Sequence, residues 1–154
     1  MSIEDDIAFL ERVPILRQLG TGALRILAIS AESYSVEIGQ LLFSAGEPAD
    51  CAYVVQQGSF SLQPERASEP EVVAEIGALL GEAALFTETL RPATATARED
   101  STVLRISRKM FLKMLEGFPD AARRLRDLIA ARADQWARDI ETVRGVLNRD
   151  DGQQ

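Results

Sequence analysis

Apolar positions along the chain first follow a helical period and then a shorter one. Ile3, Ile7 and Leu10 share one face of residues 3 to 12, and Leu24, Leu27 and Ala28 share one face of residues 21 to 31. Thr21 stands where it could cap the second of these helices. From Tyr34 to Ile106 the period changes to that of strands. Short runs appear at Tyr34 to Ile38, Leu41 to Phe43, Ala52 to Gln56, Ser59 to Leu62, Val72 to Ile76, Ala93 to Ala97 and Thr102 to Ile106. Clusters of Gly, Pro, Asp and Ser separate them. Regular short strands of this kind predict a sandwich, roll or barrel. Gln63 to Glu71 is polar and predicts a solvated hairpin tip.

Helical spacing returns after Ser107, a suitable N-cap. Met110, Phe111, Met114 and Leu115 predict a short helix that breaks around Gly117-Phe118-Pro119. Asp120 to Leu147 then predicts one helix of about 28 residues, roughly 40 Å long. Its apolar stripe runs Ala122, Leu125, Ile129, Arg132, Trp136, Ile140, Val143, Leu147, with spacings of a coiled-coil seam. A seam of that length exceeds what the back of one small β domain covers, so helix 120–147 is expected to form a homodimer. Arg132 interrupts the stripe. A charge there must either reach water or an acidic partner, or face a ligand.

Composition narrows the chemistry. The 154 residues fit one domain, and 46% hydrophobic with 27% charged residues is an ordinary globular composition. The single cysteine, Cys51, lies in an apolar strand pattern and is expected to be an inert core thiol. Histidine is absent, which removes the usual metal ligand and general base. No serine or cysteine has an evident activating base. The chain is therefore expected to be no enzyme, with no catalytic residue, no metal and no cofactor. Net charge is −7, from 17 basic and 24 acidic residues, which opposes nonspecific binding to nucleic acid or acidic membrane. No apolar run is long enough to span a bilayer, and the acidic start Met-Ser-Ile-Glu-Asp-Asp lacks the character of a signal peptide. The cytoplasm is the expected compartment.

The densest chemical signal is Gly81-Glu82-Ala83-Ala84-Leu85-Phe86-Thr87-Glu88-Thr89-Leu90-Arg91-Pro92-Ala93-Thr94. A glycine and a carboxylate open a short helical run, and an arginine closes the segment at the edge of a small-residue strand. Glycine lets the backbone approach a ligand. N–H groups at the start of a helical turn attract an anion. A guanidinium can hold the same anion through two parallel hydrogen bonds. Ionised Glu82 can only accept, so it suits sugar hydroxyls rather than phosphate.

This segment resembles the phosphate-binding cassette of the cyclic nucleotide-binding domain family, known from catabolite activators, kinase regulatory subunits and cyclic nucleotide-gated channels. The family pattern is met at Gly81, Glu82, Ala83, Ala84, Leu85, Phe86, Arg91, Ala93 and Thr94. Gly39 to Asp50, with Gly46, and Cys51 to Phe60, with Gly58, resemble the family's strand, turn and hairpin before the cassette. The match runs over about residues 7 to 147, in family order.

The resemblance implies an α+β, mainly β fold: an eight-stranded antiparallel β-roll, or double-stranded β-helix jelly roll, with N-terminal helices and a long C-terminal helix. One domain over 1–154 is expected, with a helical lead-in at 3–31, the roll at 33–107, the cassette at 80–94 and C-terminal helices at 108–148. It further implies a cyclic purine mononucleotide held by Leu80, Gly81, Glu82, Ala83, Ala84, Arg91, Pro92, Ala93 and Thr94. Arg91 and the backbone of Gly81 to Ala84 would take the phosphate, and Glu82 the ribose 2′-OH. In some channel-type relatives an arginine of the last helix contacts the purine. An ungapped count from Arg91 places that position on Arg132, and Trp136, one turn on, would either stack on the base or fill the dimer seam. The residue after the cassette arginine is often Ser or Thr in the family; here it is Pro92, with neither hydroxyl nor N–H. That removes one route to guanine preference, so cAMP is expected ahead of cGMP.

Catabolite activators carry a winged helix-turn-helix after the long helix. The residues after Leu147 are too few for one, so the chain reads as a sensor that signals to a separate, unidentified protein. The competing reading is an interaction or dimerisation module that keeps the fold and binds no nucleotide.

Overall fold

The computed structural model describes residues 2–66 and 68–132. Three N-terminal helices come first: α1 (Ile3–Leu10), α2 (Pro14–Arg17) and α3 (Thr21–Ser30). Ser2 caps α1 reciprocally. Its hydroxyl accepts from the Asp5 N–H at 3.2 Å, and the Asp5 carboxylate accepts from the Ser2 N–H at 3.4 Å. Thr21 is not the cap of α3. The cap position is Gly20, and Thr21 is the first helical residue.

Ten strand segments follow: β1 (Glu32–Val36), β2 (Leu41–Phe43), β3 (Pro48–Ala49), β4 (Cys51–Gln57), β5 (Phe60–Pro64), β6 (Val72–Ala74), β7 (Leu79–Leu80), β8 (Thr89–Leu90), β9 (Ala93–Ala97) and β10 (Ser101–Ser107). They pair antiparallel throughout, as β1-β10-β4-β7, β2-β9-β5-β6 and the small ladder β3-β8. This is the antiparallel roll with flanking helices that the sequence predicts. The additional segments are two-residue ladders, too short to show a period of their own.

Two apolar clusters explain the sheet order. Val36, Phe43, Val55, Phe60, Leu80 and Val103 fill the space between the two four-stranded sheets. Ala52, Val54, Leu104 and Ile106, on the opposite face of β4 and β10, pack with the helical residues Leu10, Leu16, Leu24, Leu27 and Phe111. The central strands β4 and β10 thus contribute buried residues to both faces, through Cys51, Ala52, Val54 and Val55 on β4 and Val103, Leu104 and Ile106 on β10.

Helix α4 (Arg108–Gly117) is capped by Ser107, whose hydroxyl accepts from the Met110 N–H at 3.1 Å, as expected. After Phe118 the chain re-enters helix over 119–132, here called α5. Its buried face is Ala121 and Leu125, with Leu128 partly buried. The predicted stripe is therefore rotated: Leu125 belongs to the domain's own core, whereas Ile129 remains 36% exposed. Arg124 fastens the start of α5, donating to the carbonyls of Gln18 and Leu19 at 2.8 and 3.1 Å. Trp136, Ile140, Val143 and Leu147 lie outside the described residues.

Candidate functional site

The cassette begins where β7 ends. Leu80 is buried on β7 opposite Tyr53 of β4. Gly81 then turns the chain with φ +80° and ψ 37°, in the left-handed region. Glu82–Leu85 form a short 3-10 helix. Ala84 and Leu85 are buried and anchor that turn, while Ala83 is exposed and Glu82 half-buried. The first N–H groups of such a turn have no acceptor within it. The turn therefore presents donors where Gly81 leaves space.

Arg91 lies between β8 and β9, and its backbone is fixed on both sides by the Gly46 loop. Its N–H donates to the Glu47 carbonyl at 2.8 Å, and its carbonyl accepts from the Gly46 N–H at 2.8 Å. Its side chain turns inward and is 4% exposed. The guanidinium carbon lies 4.4 Å from the centre of the Phe43 ring and 5.6 Å from that of Tyr53. Nη2 donates to the Cys51 sulfur at 3.2 Å. Nη1 is buried and has no hydrogen-bond partner among the described residues. It also fills the space of Gly81's missing side chain: a Cβ on Gly81 would stand 2.2 Å from Nη1. Gly81 and Arg91, ten positions apart in the chain, thus meet at one point. A buried charge with an open donor is costly and calls for an anionic partner.

The surroundings are aromatic and apolar. Phe43 and Tyr53 stack with ring centres 6.1 Å apart. Burial, and secondarily Cys51, push the Tyr53 hydroxyl up to about 12, against the opposing pull of Arg91. Tyr53 therefore stays neutral and cannot serve as the anion's competitor for Arg91 at ordinary pH.

The remaining predicted residues divide. Thr94 accepts from the Ala45 N–H at 2.9 Å, so in this structure its hydroxyl ties β9 to the Gly46 loop. Pro92 is exposed, and Ala93 opens β9 opposite Pro64. Arg132, on α5, meets the cassette: its Nη1 donates to Oε1 of Glu82 at 2.6 Å. Of the two explanations for Arg132, the acidic partner is the contact present here, and that partner is the carboxylate predicted to hold ribose. Trp136 lies outside the described residues.

Arg108 carries a role the sequence reading missed. It opens α4, yet its Nη1 lies 3.1, 3.3 and 2.8 Å from the carbonyls of Ala49, Ala84 and Thr87. It straps the far end of the 3-10 turn, where carbonyls are left over, to β3. One signal was available: a cation at a helix N-terminus opposes the helix dipole, so it must serve another contact. Arg108→Ala should lower the melting temperature by about 3–6 °C, from the loss of charge-assisted bonds. A circular dichroism melt within one degree of wild type would show the strap to be idle. A neighbouring cleft of about 620 Å³ is lined by Asp50, Glu88 and Arg108 among others. Two carboxylates and an arginine already engaged suit it poorly to an anion.

The family model for the cyclic nucleotide-binding domain matches residues 34–118. The chain belongs to the cyclic nucleotide-binding domain family. It is 38% identical over 112 residues to an uncharacterized NTE family protein of Mycobacterium tuberculosis, covering 71% of this chain and 19% of that protein. It is 32% identical over 107 residues to the cAMP-dependent protein kinase regulatory subunit of Yarrowia lipolytica, covering 70% of this chain and 28% of that one. The chain thus spans only 19% and 28% of the length of these relatives. Among solved structures, a cyclic nucleotide-binding-like protein from Brucella abortus is 38% identical with a TM-score of 0.64, covering 73% of this chain and 98% of that one. The family is a regulatory one, and no catalytic family is indicated. Among the described residues, no group of three or more His, Cys, Asp or Glu could hold a metal ion, and no helix is long and apolar enough to cross a membrane.

Proposed function

We propose that this chain is a sensor that binds a cyclic purine mononucleotide, cAMP ahead of cGMP, and passes the binding event to another protein. The observation that carries the reading is Arg91. Its Nη1 is buried, without a partner among the described residues, and set against Gly81, at the mouth of a helical turn. A cyclic phosphate supplies the missing acceptor. Gly81, Glu82 and Ala83 offer backbone donors around it, the Ala84 N–H being given already to the Gly81 carbonyl at 3.0 Å; Glu82 takes the ribose 2′-OH, and Leu80, Pro92, Ala93 and Thr94 form the walls. Arg132 belongs to the helix that would respond, and Trp136, outside the described residues, is proposed as a second contact to the base. The apolar seam beyond Leu125 is proposed to pair with a second copy of the chain. That the related Yarrowia protein is named as a cAMP-dependent kinase regulatory subunit supports cAMP as the first ligand to try.

Titration calorimetry of the wild-type chain with cAMP and cGMP tests the reading. Saturable binding of either supports it. No heat up to millimolar nucleotide would leave the interaction module as the better account. Glu82 gives a finer check. Glu82→Ala should weaken cAMP by about 1–2 kcal/mol relative to its 2′-deoxy analogue, because only cAMP carries the donor that the carboxylate accepts. The wild-type preference for cAMP over 2′-deoxy-cAMP should fall to about one. A preference that survives the substitution would give Glu82 a purely structural role.

A further inference from the structure

Cys51 reads in sequence as an inert core thiol, and it is indeed buried, at 1% exposed. Its sulfur nevertheless has a polar partner: it accepts from Nη2 of Arg91 at 3.2 Å. The contact joins segments forty residues apart, since Cys51 opens β4 and Arg91 lies between β8 and β9. The Cys51 backbone reaches the same point. Its carbonyl oxygen is 3.4 Å from where a Cβ on Gly81 would stand. One residue therefore borders both Gly81 and the guanidinium.

The other neighbours of Arg91 cannot do what the sulfur does. The rings of Phe43 and Tyr53, with centres 4.4 and 5.6 Å from the guanidinium carbon, fix where the charge sits. That attraction does not choose which nitrogen points where. Asp50, the carboxylate next to Cys51 in the chain, is turned to Arg105 at 3.5 Å. Nη2 thus has the sulfur as its acceptor, and Nη1 has none among the described residues. A thiol sulfur is a weak, neutral acceptor. It orients the guanidinium without neutralising it, as a carboxylate in the same place would.

Resting on the functional reading above, we propose that Cys51 is a positioning residue for the nucleotide. Its sulfur keeps Nη2, so Nη1 is held against Gly81 and an entering cyclic phosphate meets a fixed donor. The phosphate takes one nitrogen of Arg91 while the other stays on the sulfur. This differs from the two parallel bonds that a free guanidinium would offer. Without the sulfur the guanidinium must be ordered during binding, and that cost is subtracted from affinity.

Cys51→Ala removes the acceptor, and Cys51→Ser restores one of similar size. Calorimetry with cAMP should give Cys51→Ala an affinity about three- to tenfold below wild type, the range of one hydrogen bond, and Cys51→Ser an affinity within about twofold of wild type. Melting temperatures should not follow that order. Serine places a hydroxyl in a buried position, so Cys51→Ser should be no more stable than Cys51→Ala although it binds better. Nitrogen NMR of the empty protein gives a readout that packing alone would not move. The Nη1 and Nη2 signals of Arg91, assigned by their loss in Arg91→Ala, should be separate in wild type and Cys51→Ser and merged by rotation in Cys51→Ala. Three results would each overturn the role of the sulfur and leave the sensor reading standing: cAMP binding by Cys51→Ala within twofold of wild type, binding by Cys51→Ser as weak as by Cys51→Ala, or Arg91 signals that are the same in wild type and Cys51→Ala. Absence of cAMP binding by wild type would remove the sensor reading and the positioning role together.

Discussion

Arg91→Ala should lose about 2–4 kcal/mol of cyclic nucleotide affinity, roughly 30- to 700-fold, while the protein stays folded. The loss follows from the geometry of one guanidinium. Its Nη1 has no partner among the described residues and lies against Gly81, so a phosphate there would receive a charge-assisted bond. Two stability terms oppose each other. Alanine forfeits the contact with the Phe43 ring at 4.4 Å, worth up to about 2 kcal/mol when desolvated. It also removes a buried charge with an open donor, a group that costs about 1–3 kcal/mol to leave unsatisfied. The melting temperature should therefore move by only a few degrees in either direction. Saturating cAMP should raise the wild-type melting temperature and leave that of Arg91→Ala nearly unchanged. Calorimetric affinity within threefold of wild type would remove Arg91 from the phosphate site.

The parts of the site that the sequence shows are those that depend on spacing within one segment. Gly81, Glu82 and Arg91 stand in a fixed order, and the structure brings Gly81 and Arg91 into contact. The strands were legible where apolar runs alternate with Gly, Pro and Asp clusters, as at β2 and β9. They were not legible at β3, β7 and β8, because two residues carry no period. The single turn α2 lies inside the helical lead-in expected at 3–31 but is too short to show a period of its own. The phase of α5 was missed because Leu125 belongs equally to a row through Ala122 and Ile129 and to one through Ala121 and Leu128. Only the second packs on the core. Contacts between distant segments had no local signal. The Arg132 to Glu82 pair spans fifty residues, and the Arg108 strap reaches back to Ala49. In each case the arginine itself was conspicuous in sequence, as a charge on an apolar stripe or a cation at a helix start. Its partner was not.

Gly81→Ala should impair binding nearly as much as Arg91→Ala, at a modest cost in stability. Two separate constraints act at this position. The backbone stands at φ +80° and ψ 37°, where alanine pays about 1–2 kcal/mol. The new Cβ would also lie 2.2 Å from Arg91 Nη1 and 3.4 Å from the Cys51 carbonyl oxygen. The first of these is a clash, but with the far end of a flexible side chain, so Arg91 can yield and the fold survives. For a chain of this length the strain should lower the melting temperature by about 2–8 °C. Binding has no such relief. The guanidinium leaves the position from which it addresses the phosphate, and a methyl group stands where the anion would approach. A loss of about 30-fold or more is expected. Because both substitutions disable the same contact, their effects should not add. The double variant Gly81→Ala/Arg91→Ala should bind about as weakly as Arg91→Ala alone, leaving a coupling of roughly 2 kcal/mol or more between them. Additive losses in a calorimetric cycle would mean that Gly81 and Arg91 serve different parts of the ligand, and that their contact in the empty protein is incidental.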